Sequence, residues 1–167
     1  LISSICDDYP KVFFEHKVLY GTKGSVPEEH YTIPLGKADV KREGRDVTVV
    51  ALSLMVHKAI EAANKLENQG ISVEVVDPRT IVPLDKKAIL DSVKKTHRQV
   101  VVDEDYECCG FAAEVAALVA DEGYDNLNAP IKRVATPQVP IPFSPLLEKH
   151  VLPDVERIVR VVKEVMK

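Results

Sequence analysis

The sequence predicts an α/β fold: a three-layer sandwich in which a mainly parallel sheet carries helices on both faces. Three observations carry that prediction. Short apolar runs recur at residues 47–52, 73–76, 100–103 and 131–134. Between them lie stretches whose apolar residues recur at helical spacing. The first three runs are apolar at most positions rather than alternating, as in strands covered on both faces. Strand–helix alternation then implies parallel strands joined by right-handed crossovers.

Taken in order, Ile5 and Cys6 read as the end of a helix, and residues 11–14 (KVFF) as a buried strand. Residues 15–45 lack periodicity and contain Gly21, Gly24, Pro27, Pro34, Gly36 and Gly44, which predicts a linker wrapping a surface. Tyr20, Tyr31, Ile33 and Leu35 are its expected anchors. Ser53 is placed to N-cap a helix over 55–68, with Val56, Ala59, Ile60, Ala63 and Leu66 on one face. Gly70 stands where such a helix stops. Asp85 is placed to cap a helix running to about Thr96, with Ile89, Leu90 and Val93 inward. Residues 111–122 form the next helix. Pro137, Pro140, Pro142 and Pro145 predict an extended, stiff crossing loop. Val155, Ile158, Val159, Val162 and Met166 make the stripe of a last amphipathic helix.

A chain of 167 residues holds one domain and a little more. At this size folding buries roughly 70% of the unfolded surface, so no metal or disulfide is required. The net charge of −4 comes without a basic patch, which argues against nucleic acid as a partner. No apolar run approaches the length of a membrane span, and residues 1–9 carry Asp7 and Asp8 instead of a signal-peptide pattern. Cys6, Cys108 and Cys109 are an odd set with one adjacent pair, a poor disulfide framework. They read as free thiols of a reducing cytosol. A redox-sensitive vicinal pair is the other reading, and it needs an exposed thiol of lowered pKa.

In an open parallel sheet, ligands favour the carboxyl ends of the strands. Here those ends bring Ser53, Asp77-Pro78-Arg79, Asp103-Glu104-Asp105 and Ala135-Thr136. No GxGxxG or Walker pattern opens a helix, and the turn at Cys109-Gly110-Phe111 has a single glycine, too few to cradle a diphosphate. Arg79 offers a planar fork, either to an anion at a subunit edge or to a nearby acid such as Asp103 or Glu104. The acidic run 103–105 is a solvated loop or a dock for a basic partner. His57 sits one turn into its helix, as a half-buried carbonyl-bonded residue or an interface residue. His16, between Glu15 and Lys17, lies in a surface charge cluster or near a site shared with a partner. His30, His97 and His150 read as solvated.

The ordered runs FFEHKVLYG, IPLGKADVKREGRDVTVVA, MVHKAIEAA, VEVVDPRTIVPLD, VVVDED and TPQVPIPFSP span nearly the whole chain. Together they resemble the beta subunits of the thiamine-diphosphate-dependent 2-oxoacid and acetoin dehydrogenases. The resemblance implies that residues 47–167 are a transketolase C-terminal-type domain. It makes 21–46 an inter-domain linker and 1–20 the end of a preceding pyrimidine-binding domain. It also implies a heteromeric enzyme whose thiamine diphosphate and magnesium are held elsewhere, with no catalytic or cofactor-binding residue in this chain, which alone is expected to be inactive. The implied partners are an alpha subunit, a second beta subunit and a lipoyl-bearing acyltransferase core. The cytoplasm, or the mitochondrial matrix in a eukaryote, is the implied compartment. By the same likeness Ser4, Asp7 and Tyr9 match part of a potassium site. Asn128, in Asn128-Ala129-Pro130, stands where relatives dock the acyltransferase through an aspartate. The competing readings are a stand-alone binding or regulatory module and a flavodoxin-like small-molecule transferase.

Overall fold

The computed structural model describes residues Leu1–Lys167. A short helix α1 (Ile2–Ile5) is followed by an arm without strands and a 3₁₀ turn at Lys17–Gly21. Strand β1 (Asp39–Arg42) then leads into β2 (Val47–Ala51), α2 (Leu54–Glu67), β3 (Val73–Asp77), α3 (Lys86–Thr96) and β4 (Gln99–Tyr106). The chain ends with α4 (Phe111–Glu122), β5 (Lys132–Thr136), α5 (Pro145–Val151) and α6 (Val155–Val165). The sheet order is β1-β3-β2-β4-β5; β1 runs antiparallel on the edge and the other pairings are parallel. The three-layer α/β expectation holds.

The uniformly apolar strands have their explanation in two cores. Val47, Val49, Val75, Val100 and Val102 face α2 and α6, meeting Met55, Ala59, Leu66, Ile158 and Val162. Val50, Val76 and Val101, the alternate positions, face α3 and α4, meeting Ile89, Val93, Val115 and Val119. With both faces covered, apolar residues fill most positions in both halves of the strand period.

Helix ends follow local chemistry. The Asp85 carboxylate accepts from Ala88 N at 3.2 Å, and the Asp154 carboxylate from Arg157 N at 2.7 Å. After α2, Gly70 takes φ 79° and lets Ile71 N reach back to Leu66 O at 3.1 Å. Ser53 departs from expectation: it precedes α2 but its hydroxyl caps nothing. Its φ is 51°, whereas a capping side chain needs extended backbone to reach the first turn.

Four further expectations need correction. Residues 11–14 form no strand and are exposed, Val12 at 81% and Phe14 at 85%. Their apolar composition suits burial, but nothing in this chain pairs with them. Residues 39–42, expected within the linker, are an edge strand on β3. The proline-rich crossing is not wholly extended either: Pro145 opens α5, where its missing N–H is one that no helix bond needs. Of the expected linker anchors, Leu35 is half-buried whereas Tyr20, Tyr31 and Ile33 are exposed.

One polar network crosses the amino ends of the strands. Glu74, 1% exposed in β3, accepts from Ser92 Oγ at 2.5 Å and from Gly44 N at 3.1 Å, and is ion-paired with Lys95. Ser92 Oγ also meets Thr48 Oγ1 at 2.6 Å, which meets Thr96 Oγ1 at 2.7 Å. Each buried oxygen in it thus has a partner, which burial of polar groups requires.

Candidate functional site

Strands β2, β3 and β4 end at one edge of the sheet, and the order places β2 where the chain turns from one side to the other, so the switch-point crevice lies between β2 and β4. His16, at the end of the arm, crosses to this edge. Its Nε2 lies 2.9 Å from Glu104 Oε2, and its Nδ1 is buried without a partner. The expected local cluster with Glu15 and Lys17 is therefore not what holds it; Glu15 instead accepts from Tyr20 Oη at 2.9 Å. Glu104 is itself positioned by its backbone, whose carbonyl accepts from Thr136 Oγ1 at 2.6 Å.

Beside Glu104, Asp103 is 8% exposed and its Oδ2 has no hydrogen-bond partner. Oδ1 accepts from Asp105 N at 3.2 Å. Burial pushes the Asp103 carboxyl above its usual range, and the neighbouring Asp105 and Glu104 charges push it further. A raised carboxyl pKa means that the folded chain holds a proton the unfolded chain has already lost. Stability then falls as pH rises from the ordinary value of 3.8 through the folded value. Asp103→Asn is expected to raise the melting temperature at pH 7 by roughly 2–4 °C, what about 1 kcal/mol gives in a domain this size. The gain should vanish in acid, where Asp103 is protonated in both states. A gain that persists unchanged in acid would place the effect in packing instead.

Arg79 lies at the end of β3 with φ 59°. Its guanidinium pairs with Asp39, not with Asp103 or Glu104. The reason is β1: its antiparallel register sets Asp39 opposite Asp77, within reach of the fork. The Lys41 ammonium, 2.6 Å from Asp39, and then the Arg79 charge hold that carboxyl below its usual range. Asp77 goes the other way, raised by burial although its Oδ1 accepts from Arg79 N at 3.0 Å.

The remaining predicted residues lie apart. His57 is exposed on the first turn of α2. Asn128 is exposed at the opposite, amino edge, where its N–H donates to His97 O at 2.8 Å. It borders a groove of about 980 Å³ floored by Ala113, Ala116, Ala117 and Ala120 of α4. Near the chain start, Asp7 Oδ1 accepts from Tyr9 N at 3.0 Å and from the Lys11 ammonium at 2.8 Å. The Lys11 bond, followed by the Tyr9 N–H, lowers the Asp7 pKa. Sequence reasoning missed the His16–Glu104 and Arg79–Asp39 pairs. A glutamate inside an apolar strand was the available signal for the Glu74 network.

Comparison with known proteins agrees with this architecture. Residues 36–158 match the family model described as transketolase, C-terminal domain. The chain is 51% identical over 99% of its length to the beta subunit of acetoin:2,6-dichlorophenolindophenol oxidoreductase of Bacillus subtilis, covering 48% of that protein. It is 43% identical over 98% of its length to the B. subtilis 2-oxoisovalerate dehydrogenase beta subunit, covering 51% of it. The beta subunit of the pyruvate dehydrogenase E1 component of Rickettsia felis is 44% identical over 99% of this chain, with 51% of the relative covered. The chain thus spans about half the length of the curated relatives it matches. Among solved structures, a split-gene transketolase described as an inactive beta4 tetramer superposes with a TM-score of 0.72 at 29% identity, over 86% of this chain and 45% of that one. The chain belongs to the transketolase C-terminal domain family.

Proposed function

We propose that this chain serves as the C-terminal part of the beta subunit of a thiamine-diphosphate-dependent 2-oxoacid or acetoin dehydrogenase, where it binds subunits together. One observation carries the reading. Residues 9–20 are rich in apolar and aromatic side chains, form no strand, and are largely exposed, with Tyr9, Val12, Phe13, Phe14, Val18 and Tyr20 all facing solvent. An apolar surface of this kind needs a covering. In this reading residues 1–20 complete a preceding pyrimidine-binding domain, 21–46 link it to the rest, and an alpha and a second beta subunit pack on the assembled surface.

The carboxyl edge supports the division of labour. It presents Asp77, Asp103, Glu104 and Asp105, and its arginine is taken by Asp39. That acidic set repels the cofactor's diphosphate, so the thiamine diphosphate grip, with the magnesium that accompanies it in the resemblance, is assigned to residues outside this chain. No reaction step is assigned to residues here. Their task is placement, and the enzyme as a whole performs the decarboxylation or acetoin cleavage. For potassium, the Asp7 carboxylate with the Ser4 and Tyr9 carbonyls is the proposed partial site; oxygen donors suit a hard cation. The Lys11 ammonium lies 2.8 Å from Asp7 Oδ1. Asn128 and the alanine groove beside it are the proposed dock for the lipoyl-bearing acyltransferase core, with His57 and His16 at subunit contacts. The proposed compartment is the cytoplasm or mitochondrial matrix; no helix is long and apolar enough to cross a membrane.

Co-expression tests the reading. A tagged chain should retain the alpha subunit and the amino-terminal half of a relative's beta subunit through size-exclusion chromatography. Elution of the chain alone, folded and monomeric, would favour a stand-alone module.

A further inference from the structure

The turn between β4 and α4 carries Cys108 and Cys109, which no part of the proposed assembly uses. Both thiols are free and exposed, and their Sγ atoms lie 3.7 Å apart. The turn that presents them is held by hydrogen bonds from outside and within. Glu107 N donates to Thr136 O at 2.8 Å, the Arg133 guanidinium donates to Glu107 O at 2.5 Å, and Ala113 N donates to Gly110 O at 3.0 Å. Cys109 sits at φ 62°, a conformation that a side chain other than glycine's adopts at a cost. The two thiols open onto a shallow pocket with Glu107, Ala113, Arg133 and Gln138.

We propose that Cys108 and Cys109 form a dithiol site for a soft, trivalent thiophile, of which an organoarsenical R–As(OH)₂ is the chemical class. Two alternatives fit less well. Closure to a disulfide would join residues whose Cα atoms are about 3.8 Å apart, against roughly 4.4–6.8 Å in ordinary disulfides. Zinc places two sulfurs at about this spacing, with Zn–S near ~2.3 Å, but it needs four donors. No group of three or more His, Cys, Asp or Glu side chains is arranged to hold a metal ion. An arsenic centre that carries its own organic substituent needs only the two sulfurs, and soft sulfur is its preferred donor. Two S–H and two As–OH bonds break, two S–As bonds form and two waters leave. Arsenic and sulfur keep their oxidation states, so no oxidant is involved. Hydrogen bonding to Cys109 pushes the Cys108 thiol up, which makes it a poor single nucleophile yet leaves this condensation open.

Phenylarsine oxide tests the site on the purified chain, with folding checked by circular dichroism. One arsenical should bind per chain, and thiols reactive toward a maleimide should fall from the three present to one, Cys6. Cys6→Ser should bind as the parent does. Cys108→Ser and Cys109→Ser should each weaken binding by about a hundredfold or more, because the second sulfur no longer acts at high effective concentration. The proposal is overturned if the parent keeps all three thiols reactive, if either single serine variant binds as tightly as the parent, or if the pair closes to a disulfide before the arsenical is added.

Discussion

Replacing Phe14 by aspartate is expected to abolish co-purification with the partner subunits while leaving the chain's own melting curve unchanged. Phe14 itself is 85% exposed, although His16 two residues on is held to Glu104, so an aspartate at Phe14 meets mainly water when the chain is alone. In the proposed assembly the same position lies under a covering domain, where a charge must be desolvated without a partner. Truncating an aromatic anchor at an interface costs about 2–4 kcal/mol, or roughly 30- to 1000-fold in affinity, and an unpaired charge adds to it. Retention on the tagged partner, measured across a concentration series, gives the shift. If Phe14→Asp assembles as well as the parent, the arm is not the interface. If it melts several degrees lower when isolated, the arm packs on its own chain.

Gly44→Ala is the substitution expected to damage the fold itself. Gly44 follows β1 and runs so close to β3 that a β-carbon would overlap the backbone of Val73 and Glu74. Backbone on both sides of the clash leaves no side chain to swing away, so β1 has to separate from β3. The separation also costs the Gly44 N–H bond to Glu74, within the buried network that includes Lys95 and Ser92. A loss of about 3 kcal/mol follows, from overpacking and a broken bond to a buried charge. In a domain of this size that lowers the melting temperature by roughly 6–12 °C. Urea denaturation of the two proteins side by side measures it. A change within about 0.5 kcal/mol, ordinary for a surface site, would mean that the edge does not hold Gly44 as closely as described.

The parallel core was legible because its signal is periodic and its partners are all in the chain. Val49 and Val50 point to opposite faces, both covered, and that alone makes the run apolar throughout. Strand β1 was not legible. Asp-Val-Lys-Arg is short and charged, as edge strands are, and a charged run in a glycine-rich stretch reads as linker. Residues 11–14 failed in the opposite way: their apolar composition was read as a buried strand, whereas they form no strand and are exposed. Helix α5 was hidden by its prolines, since Pro145 at a helix start looks the same in sequence as a proline that forbids one.

At the site, the residue types were legible and their partners were not. Arg79 was marked as a fork seeking a carboxylate, yet Asp39 as that carboxylate depends on the register of a strand the sequence did not reveal. His16 and Glu104 are 88 positions apart, and no spacing rule connects an arm residue to a strand end. The adjacency of Cys108 and Cys109 was plain, whereas their common exposure required the turn that holds them.

Turnover is the most direct measure of the central claim that this chain places subunits and does not perform chemistry. The purified 167-residue chain, supplied with thiamine diphosphate and magnesium, should convert none of pyruvate, 3-methyl-2-oxobutanoate and acetoin. The same assay should show cofactor-dependent turnover of at least one of them once an alpha subunit and the amino-terminal half of a beta subunit are added. Thiamine-diphosphate-dependent turnover by the chain alone would contradict the account.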